Sequence, residues 1–266
     1  MKTVFPWRGA TAAALHYTAA FLLTTLVHEL GHALVSWRLG GQPMLYNTHV
    51  ENLARHLPAS TEVAMALAGP LLSLVQGAVF LGWAWTRRGS GDAALWRLYL
   101  GLFGLINFMG YLLIGPLVPY GDIGQVEASW QVPVWAEVAV AVLAGVGVQW
   151  VVGRAAPLFL DFGQASLARP LRGQLMQGLV AVPWLLGSVL ITALSWPPPT
   201  PISFIYPILS NMVLGAAWGK AMGGTYSDHP PNPEAPLLSQ LHFGWAVAAV
   251  AIVGTVFRLL ATGVAL

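Results

Sequence analysis

Two histidines and a glutamate stand together near the start of the chain, in the segment His28-Glu29-Leu30-Gly31-His32. Residues four apart on a helix lie on one face about one turn apart, so both imidazoles can reach the same metal ion. Glu29 directly follows the first histidine, and its carboxylate can accept a proton from a water at that metal. This division of roles is typical of a zinc peptidase.

The position of this motif strengthens the metal hypothesis. The three ionisable residues lie inside an apolar stretch long enough to cross a membrane, where such groups are costly and usually functional. The alternative is a buried polar cluster that hydrogen-bonds neighbouring helices. Because charged residues make up only 8% of the chain, so dense a group favours the metal site.

A catalytic zinc ion usually has three protein ligands and a water, so one ligand must come from elsewhere in the chain. Asp122 is the first choice, because it follows the Pro- and Gly-rich segment 115–121, which is expected to unwind the helix before it. His49, Glu51 and His56 compete for the role, since their loop follows the motif closely and could fold back over the metal.

The composition describes the elements that must position these residues. The chain has 266 residues, of which 56% are hydrophobic and 8% are charged, against about 25% charged in a typical soluble domain. These values exclude an ordinary soluble enzyme and a disordered chain, and we expect no nucleic-acid partner. The absence of Cys excludes thiolate ligands and disulfide bonds. The chain is therefore expected to lie in a lipid bilayer.

The apolar stretches predict an all-α fold, a polytopic transmembrane helical bundle of six to seven spans. They are too long and too continuous for barrel strands, which would alternate at a period of two. The seven candidate spans cover residues 12–37, 61–86, 93–118, 132–152, 174–196, 201–222 and 238–264.

The distribution of basic residues predicts a cytoplasmic N-terminus. With seven spans, the inside segments hold nine of the 12 Lys and Arg residues, and the outside segments hold three. The inside residues are Lys2, Arg8, Arg87, Arg88, Arg97, Arg154, Arg169, Arg172 and Lys220, and the outside residues are Arg38, Arg55 and Arg258. This orientation places the metal toward the outer side of what we expect to be a bacterial cell membrane.

The first three spans resemble the site-2 protease family of intramembrane zinc metalloproteases. The resemblance rests on the segment 28–32, on Ala68-Gly69-Pro70 in the next span, and on the Pro-rich segment that ends in Asp122. It implies that His28, His32 and Asp122 bind one zinc ion per chain and that Glu29 is the catalytic base. Ile114 stands where the family usually has Asn, and no PDZ-sized insert is present.

This resemblance divides the chain and suggests its function. Residues 1–125 are expected to form a metalloprotease-like core of three transmembrane helices, and residues 126–266 to add transmembrane helices of unknown role. The expected activity is hydrolysis of peptide bonds in or next to membrane segments of a protein or peptide substrate. A non-proteolytic membrane protein that retains the zinc site is the alternative, and a hydrolase of lipids or small amides is a third possibility.

Three further expectations concern residues around the motif. Ala68-Gly69-Pro70 predicts a helix break that brings span 2 close to span 1 or opens a route to the metal. Asn107 is expected to hydrogen-bond a neighbouring helix rather than a substrate. An extended substrate peptide is expected to pair as an added strand with the loop at 44–50.

Overall fold

The computed structural model describes residues 5–54, 57–163, 169–197, 201–224 and 238–266. Almost all of the described residues that form regular structure are helical, which confirms the all-α fold class. The helices are α1 (Trp7–Arg38), α2 (Ala59–Thr86), α3 (Asp92–Ile114), α4 (Asp122–Ser129), α5 (Val134–Arg154), α6 (Ala156–Leu160), α7 (Arg169–Met176), α8 (Val182–Leu194), α9 (Pro201–Leu209), α10 (Gly215–Gly223) and α11 (Phe243–Leu260).

Six helical segments are long and apolar enough to cross a membrane, as expected for a multi-pass membrane protein. The fifth of these runs through α7, a π-helical turn at Gln177–Ala181, and α8. The expected span at 201–222 is also helical, but a 3-10 segment at Ser210–Leu214 separates α9 from α10. Whether this stretch crosses the membrane as a seventh span stays a prediction. Its direction is the one that a further span would have, because it runs antiparallel to α8. The carbonyl of Pro207 within α9 accepts a hydrogen bond from Ser188 of α8, and the carbonyl of Gly224 after α10 accepts one from Arg172 of α7.

The helix α1 lies at the centre of the bundle and packs against α2, α3, α8 and α11. Its alanines at positions 10, 12, 13, 14, 19 and 20 are fully buried, and such small side chains let membrane helices approach closely. On α3, Tyr99 and Phe103 stack on each other and meet Tyr17 of α1 edge to face. The hydroxyl of Tyr99 donates to the carbonyl of Leu179, which ties α3 to the fifth span.

Contacts at the two ends of the bundle show that α1 and α3 run in the same direction. At one end, His16 of α1 hydrogen-bonds Asp92 at the start of α3. At the other end, His28 stacks on Tyr111 near the end of α3. The helix α2 returns between them, so the three helices alternate in direction as consecutive spans must.

A three-stranded sheet lies beyond the end of α1. The strand β1 (Pro43–Leu45) pairs antiparallel with β2 (Val50–Asn52), and on its other edge with β3 (Val264–Ala265), in the order β2-β1-β3. Leu45 faces Val50 on one side and Val264 on the other. The sheet therefore joins the segment after α1 to the segment after α11.

Candidate metal centre

The two histidines of the motif lie on one buried face of α1. His28 is 2% exposed and His32 is 9% exposed, and their Nε2 atoms are 3.1 Å apart. The one-turn spacing on α1 brings both rings to the same point, as the i, i+4 pattern predicts. Both Nε2 atoms therefore point into one small volume inside the bundle.

Asp122 reaches these histidines because the helix before it ends early. The helix α3 stops at Ile114, a 3-10 turn follows at Gly115–Leu117, and Asp122 is the first residue of α4. Its Oδ2 atom lies 3.0 Å from Nε2 of His28 and 3.2 Å from Nε2 of His32. Burial raises the pKa of Asp122, but the hydrogen bonds to the two histidines outweigh this effect and hold the pKa below its usual value.

The three donor atoms form a nearly equilateral triangle that fits a divalent metal ion. Their separations are 3.0, 3.1 and 3.2 Å. Donors that bind a tetrahedral zinc ion at about 2.0–2.1 Å lie about 3.3 Å from one another, so an ion just outside this triangle would reach all three. Within the described residues, this is the one group of three or more His, Asp or Glu side chains with such spacing. Two imidazoles and a carboxylate also suit other divalent transition metals.

The other ring nitrogens of both histidines hold the rings in place. Nδ1 of His32 lies 2.7 Å from the carbonyl oxygen of Met65 and must donate a proton to it, which leaves Nε2 with a free lone pair. Nδ1 of His28 lies 3.1 Å from Oγ of Ser73. Both partners belong to α2, so this helix orients the ligands as outer partners do in metal sites.

Two glycines allow α2 to come this close. A Cβ atom on Gly31 would lie 2.8 Å from the carbonyl oxygen of Ala68, and a Cβ atom on Gly69 would collide with the ring of His32. The expected close approach of the first two spans is therefore present. The expected helix break is wrong, because α2 continues through Pro70 from Ala59 to Thr86. Proline is tolerated inside membrane helices because neighbouring groups can satisfy the backbone carbonyl that it leaves without a donor.

Glu29 faces a cavity next to the three donor atoms. The cavity has a volume of about 510 Å³, and its wall includes His28 and Glu29 of α1, Tyr111 of α3, and Tyr120 just before the Asp122 turn. Glu29 is 5% exposed and close enough to His28, His32 and Asp122 for their charges to interact. No hydrogen bond ties its carboxylate to another described residue, so it is available to a molecule in the cavity.

The competing ligands do not join this group where they are described. His49 stacks on Tyr46, and its Nε2 atom lies 3.8 Å from a carboxylate oxygen of Glu51. His56 lies outside the described residues. Asp122 is therefore the third residue that the structure brings to the two histidines, and coordination of a metal by them stays a prediction.

The expected pairing of a substrate strand with the loop at 44–50 stays a prediction, although β1 at the start of this loop has no edge left for it. Both edges of β1 are already paired, one with β2 and the other with β3. Among the described residues, open edges remain on the outer sides of β2 and β3. The hairpin still reaches the cavity, because Thr48 in its turn contributes to the wall.

Sequence reasoning missed several residues that complete this site. Ser73 lies one turn after Gly69 on α2, and Tyr111 lies one turn after Asn107 on α3, so helical spacing from residues already singled out would have found both. The carbonyl of Met65 carries no signal in the sequence. Tyr206 belongs to no sequence motif, yet it forms part of the cavity wall from the second half of the chain.

Two other histidines lie away from the metal centre. Nε2 of His16 is 2.8 Å from Oδ1 of Asp92, and Nδ1 of His242 is 2.6 Å from Oδ2 of the same carboxylate. Asp92 thus connects α1, the start of α3 and the residue before α11. His16 is not a ligand of the predicted metal, as its position twelve residues before His28 requires.

No family model, curated protein or solved structure matches this chain. The arguments for a function therefore depend on the residues and the geometry described above.

Proposed function

We propose that this protein is a membrane-embedded zinc metalloprotease that hydrolyses peptide bonds in or next to membrane segments, and that it is a divergent relative of the site-2 proteases. The observation that carries the proposal is the triangle of His28, His32 and Asp122 donor atoms, with separations of 3.0–3.2 Å, beside the free carboxylate of Glu29. Zinc is the proposed metal because the His-Glu-x-x-His pattern with a third ligand is the arrangement that zinc peptidases use.

Each residue has a role in hydrolysis. His28, His32 and Asp122 would hold a zinc ion, which would supply Lewis-acid chemistry toward the scissile carbonyl and the attacking water. Glu29 accepts a proton from that water while the water oxygen attacks the carbonyl carbon. Glu29 then delivers the proton to the amide nitrogen as the C–N bond breaks, which leaves a free amine and a carboxylate. Tyr111, which stacks on His28, covers one side of this group of residues.

The cavity supports a peptide as the substrate. Its wall is formed largely by apolar and aromatic side chains, and its volume of about 510 Å³ is enough for a few residues of an extended peptide. Peptide bonds within a helix are already hydrogen-bonded and sterically covered. The substrate segment must therefore be unwound, or lie just outside its own membrane helix, when it reaches Glu29.

The test compares wild type with Glu29→Gln in detergent or liposomes. We expect purified wild type to hold about one zinc per chain and to cleave a membrane peptide, with products identified by mass spectrometry. Glu29→Gln should hold the same zinc and lose at least about a hundredfold in kcat, since it cannot accept the proton. The exposed Glu62 on α2 provides the control, and Glu62→Gln should keep both properties.

The same experiment addresses the alternative function. A non-proteolytic protein that retains the metal site would bind zinc and gain thermal stability from it, but would release no product. Cleavage at an equal rate by Glu29→Gln would contradict its role as the base. Absence of zinc from a folded wild-type protein would contradict the proposal as a whole.

A further inference from the structure

The cavity extends along α1 away from the metal centre. Its wall includes Glu29 and, two turns earlier on the same helix, Phe21. On the parallel helix α3 it includes Tyr111, which stacks on His28, and one turn earlier Asn107. One turn of helix is about 5–6 Å, so the end of the cavity near Phe21 and Asn107 lies deeper in the bundle than the metal. We call this the deep end.

A polar pair lies at this deep end. Nδ2 of Asn107 donates to the hydroxyl of Tyr206 at 3.0 Å, and both residues belong to the cavity wall. This contact confirms the expectation that Asn107 hydrogen-bonds a neighbouring helix. Two hydrogen-bonding groups of this pair still lack a partner among the described residues. They are Oδ1 of Asn107, which could accept a hydrogen bond, and the hydroxyl proton of Tyr206, which could be donated.

An unpartnered amide oxygen in this position needs an explanation. Asn107 is 7% exposed, and a buried acceptor without a partner destabilises the folded protein. Two other hydroxyls of the wall are satisfied, since Thr25 and Ser195 donate to carbonyls of their own helices. Thr48 has a free hydroxyl, but it lies in the β1–β2 turn rather than at the deep end.

We propose that the deep end is a specificity pocket for a tyrosine side chain of the peptide substrate. The proposal rests on the proposed function, because it assigns the substrate preference of the same site. A phenol hydroxyl can accept the proton of Tyr206, and it can donate its own proton to the buried Oδ1 of Asn107 once that amide turns toward the cavity, so it satisfies both groups left without a partner. An indole N–H can only donate, and a phenyl ring can do neither.

The shape of the pocket agrees with an aromatic side chain. The apolar part of the wall includes Phe21, Ile191 and Phe257, and the rings of Phe21 and Tyr206 lie 5.9 Å apart. Aromatic side chains pack well among such rings. The depth of about one helical turn matches the length of a tyrosine side chain, so its backbone would lie next to the scissile bond at Glu29.

The second half of the chain thereby acquires a role. Ile191, Tyr206 and Phe257 belong to α8, α9 and α11, all beyond residue 125. The first three spans carry the metal and Glu29, and the later helices supply the part of the wall that would select the substrate. Of the two members of the polar pair, one comes from each half.

The test uses small metal-binding ligands, so that it does not depend on turnover. Phenylalanine hydroxamate and tyrosine hydroxamate share a group that chelates zinc, and they differ only in the phenol hydroxyl. Acetohydroxamate carries the same chelating group without the aromatic side chain or the α-amino group. Their affinities for zinc-loaded protein are measured by thermal shift and calorimetry. We expect tyrosine hydroxamate to bind about tenfold to a hundredfold more tightly than phenylalanine hydroxamate, because two hydrogen bonds are made at its hydroxyl.

Three variants identify the groups responsible. Asn107→Leu and Tyr206→Phe should each bring the ratio of the two affinities to within about threefold of unity, while zinc content and acetohydroxamate affinity stay unchanged. Ser195→Ala is the matched control, because its hydroxyl belongs to the cavity wall but already bonds the carbonyl of Ile191. It should keep the preference for tyrosine.

The outcomes separate this inference from the proposed function. If acetohydroxamate fails to bind zinc-loaded wild type, the metalloprotease proposal fails. If acetohydroxamate binds but the tyrosine and phenylalanine compounds bind equally, the metal site stands and the tyrosine pocket is overturned. The pocket is also overturned if tyrosine is preferred and both Asn107→Leu and Tyr206→Phe fold and keep that preference.

Discussion

Gly69 determines how closely α2 can approach the predicted metal ligand His32. An added Cβ atom would collide with the imidazole ring, and the ring cannot turn aside without losing its bond to the carbonyl of Met65. The position therefore has no room for any side chain. A side chain at position 69 would affect the metal centre indirectly, by changing the orientation of the predicted ligand His32.

We expect Gly69→Ala to lower zinc affinity by about tenfold to a hundredfold, the size of effect seen when a ligand loses its supporting contacts. Zinc affinity is measured by competition with a chelator. Gly82 on the same helix has open space around its Cα, so Gly82→Ala should leave the affinity unchanged. Equal affinities for the two variants would show that His32 does not hold the metal in this orientation.

The sequence predicts the site to different degrees at individual residues. His28 and His32 are recognisable because a helix converts their spacing into proximity. Asp122 is recognisable because prolines and glycines end α3 before it. The supporting partners depend on packing between helices, which periodicity does not specify, so the carbonyl of Met65 and the hydroxyl of Tyr206 could not be identified in advance.

At the scale of elements, the short helix α4 carries a carboxylate in an unusual position. Glu127 is buried, and its Oε2 atom has no hydrogen-bond partner among the described residues. An added Cβ atom on Gly115 would lie 2.7 Å from that oxygen, so α4 packs tightly against the turn that leads to Asp122. Burial raises the pKa of Glu127, and the negative charge of Glu137 raises it further.

This raised pKa predicts how stability depends on pH. Between the ordinary pKa of a glutamate, about 4.3, and the raised value, the folded protein binds more protons than the unfolded chain, so stability falls as pH rises through that window. We expect Glu127→Gln to remove this loss and to unfold at a higher temperature than wild type at neutral pH. Thermal unfolding from about pH 4 to about pH 8 measures the difference.

Exposed Glu62 again supplies the comparison for this prediction. Glu62→Gln should keep the wild-type dependence on pH, because the side chain of Glu62 is exposed and, unlike Glu127, is not enclosed by the fold. If the stabilities of Glu127→Gln and wild type differ by the same amount at every pH, the carboxylate of Glu127 does not titrate on unfolding as proposed.

The elements themselves were predictable where length and apolar character specify them. The six long helical segments lie where the apolar stretches predict spans, with ends shifted by a few residues. The interruptions were not predictable: Pro70 continues a helix, whereas a 3-10 segment without proline interrupts the stretch after α9. Packing between helices determines whether a helix continues or is interrupted at such a position. Neighbouring helices can supply a replacement for a lost backbone hydrogen bond, or they can compete for the backbone groups that would form it.

At the scale of the whole molecule, most of the basic residues lie at one end of the bundle, as their contacts show. Arg88 pairs with Asp161 after α6, and Arg97 donates to the carbonyl of Arg87. The side chain of Lys220 packs beside Gly153, and Arg172 reaches Gly224. The predicted metal centre lies toward the opposite end, where α1 and α3 finish. By the positive-inside rule, the basic end is expected to face the cytoplasm.

Cysteine labelling tests this orientation, because the chain has no Cys of its own to react. Gly89 lies in the connection between α2 and α3 with open space around it, and Ser129 is exposed at the end of α4 near the metal end. We expect a membrane-impermeant maleimide to label Ser129→Cys in intact cells and to label Gly89→Cys only after permeabilisation. The reverse pattern would place the metal centre toward the cytoplasm, since Gly89 lies before the start of α3 and Ser129 lies beyond its end.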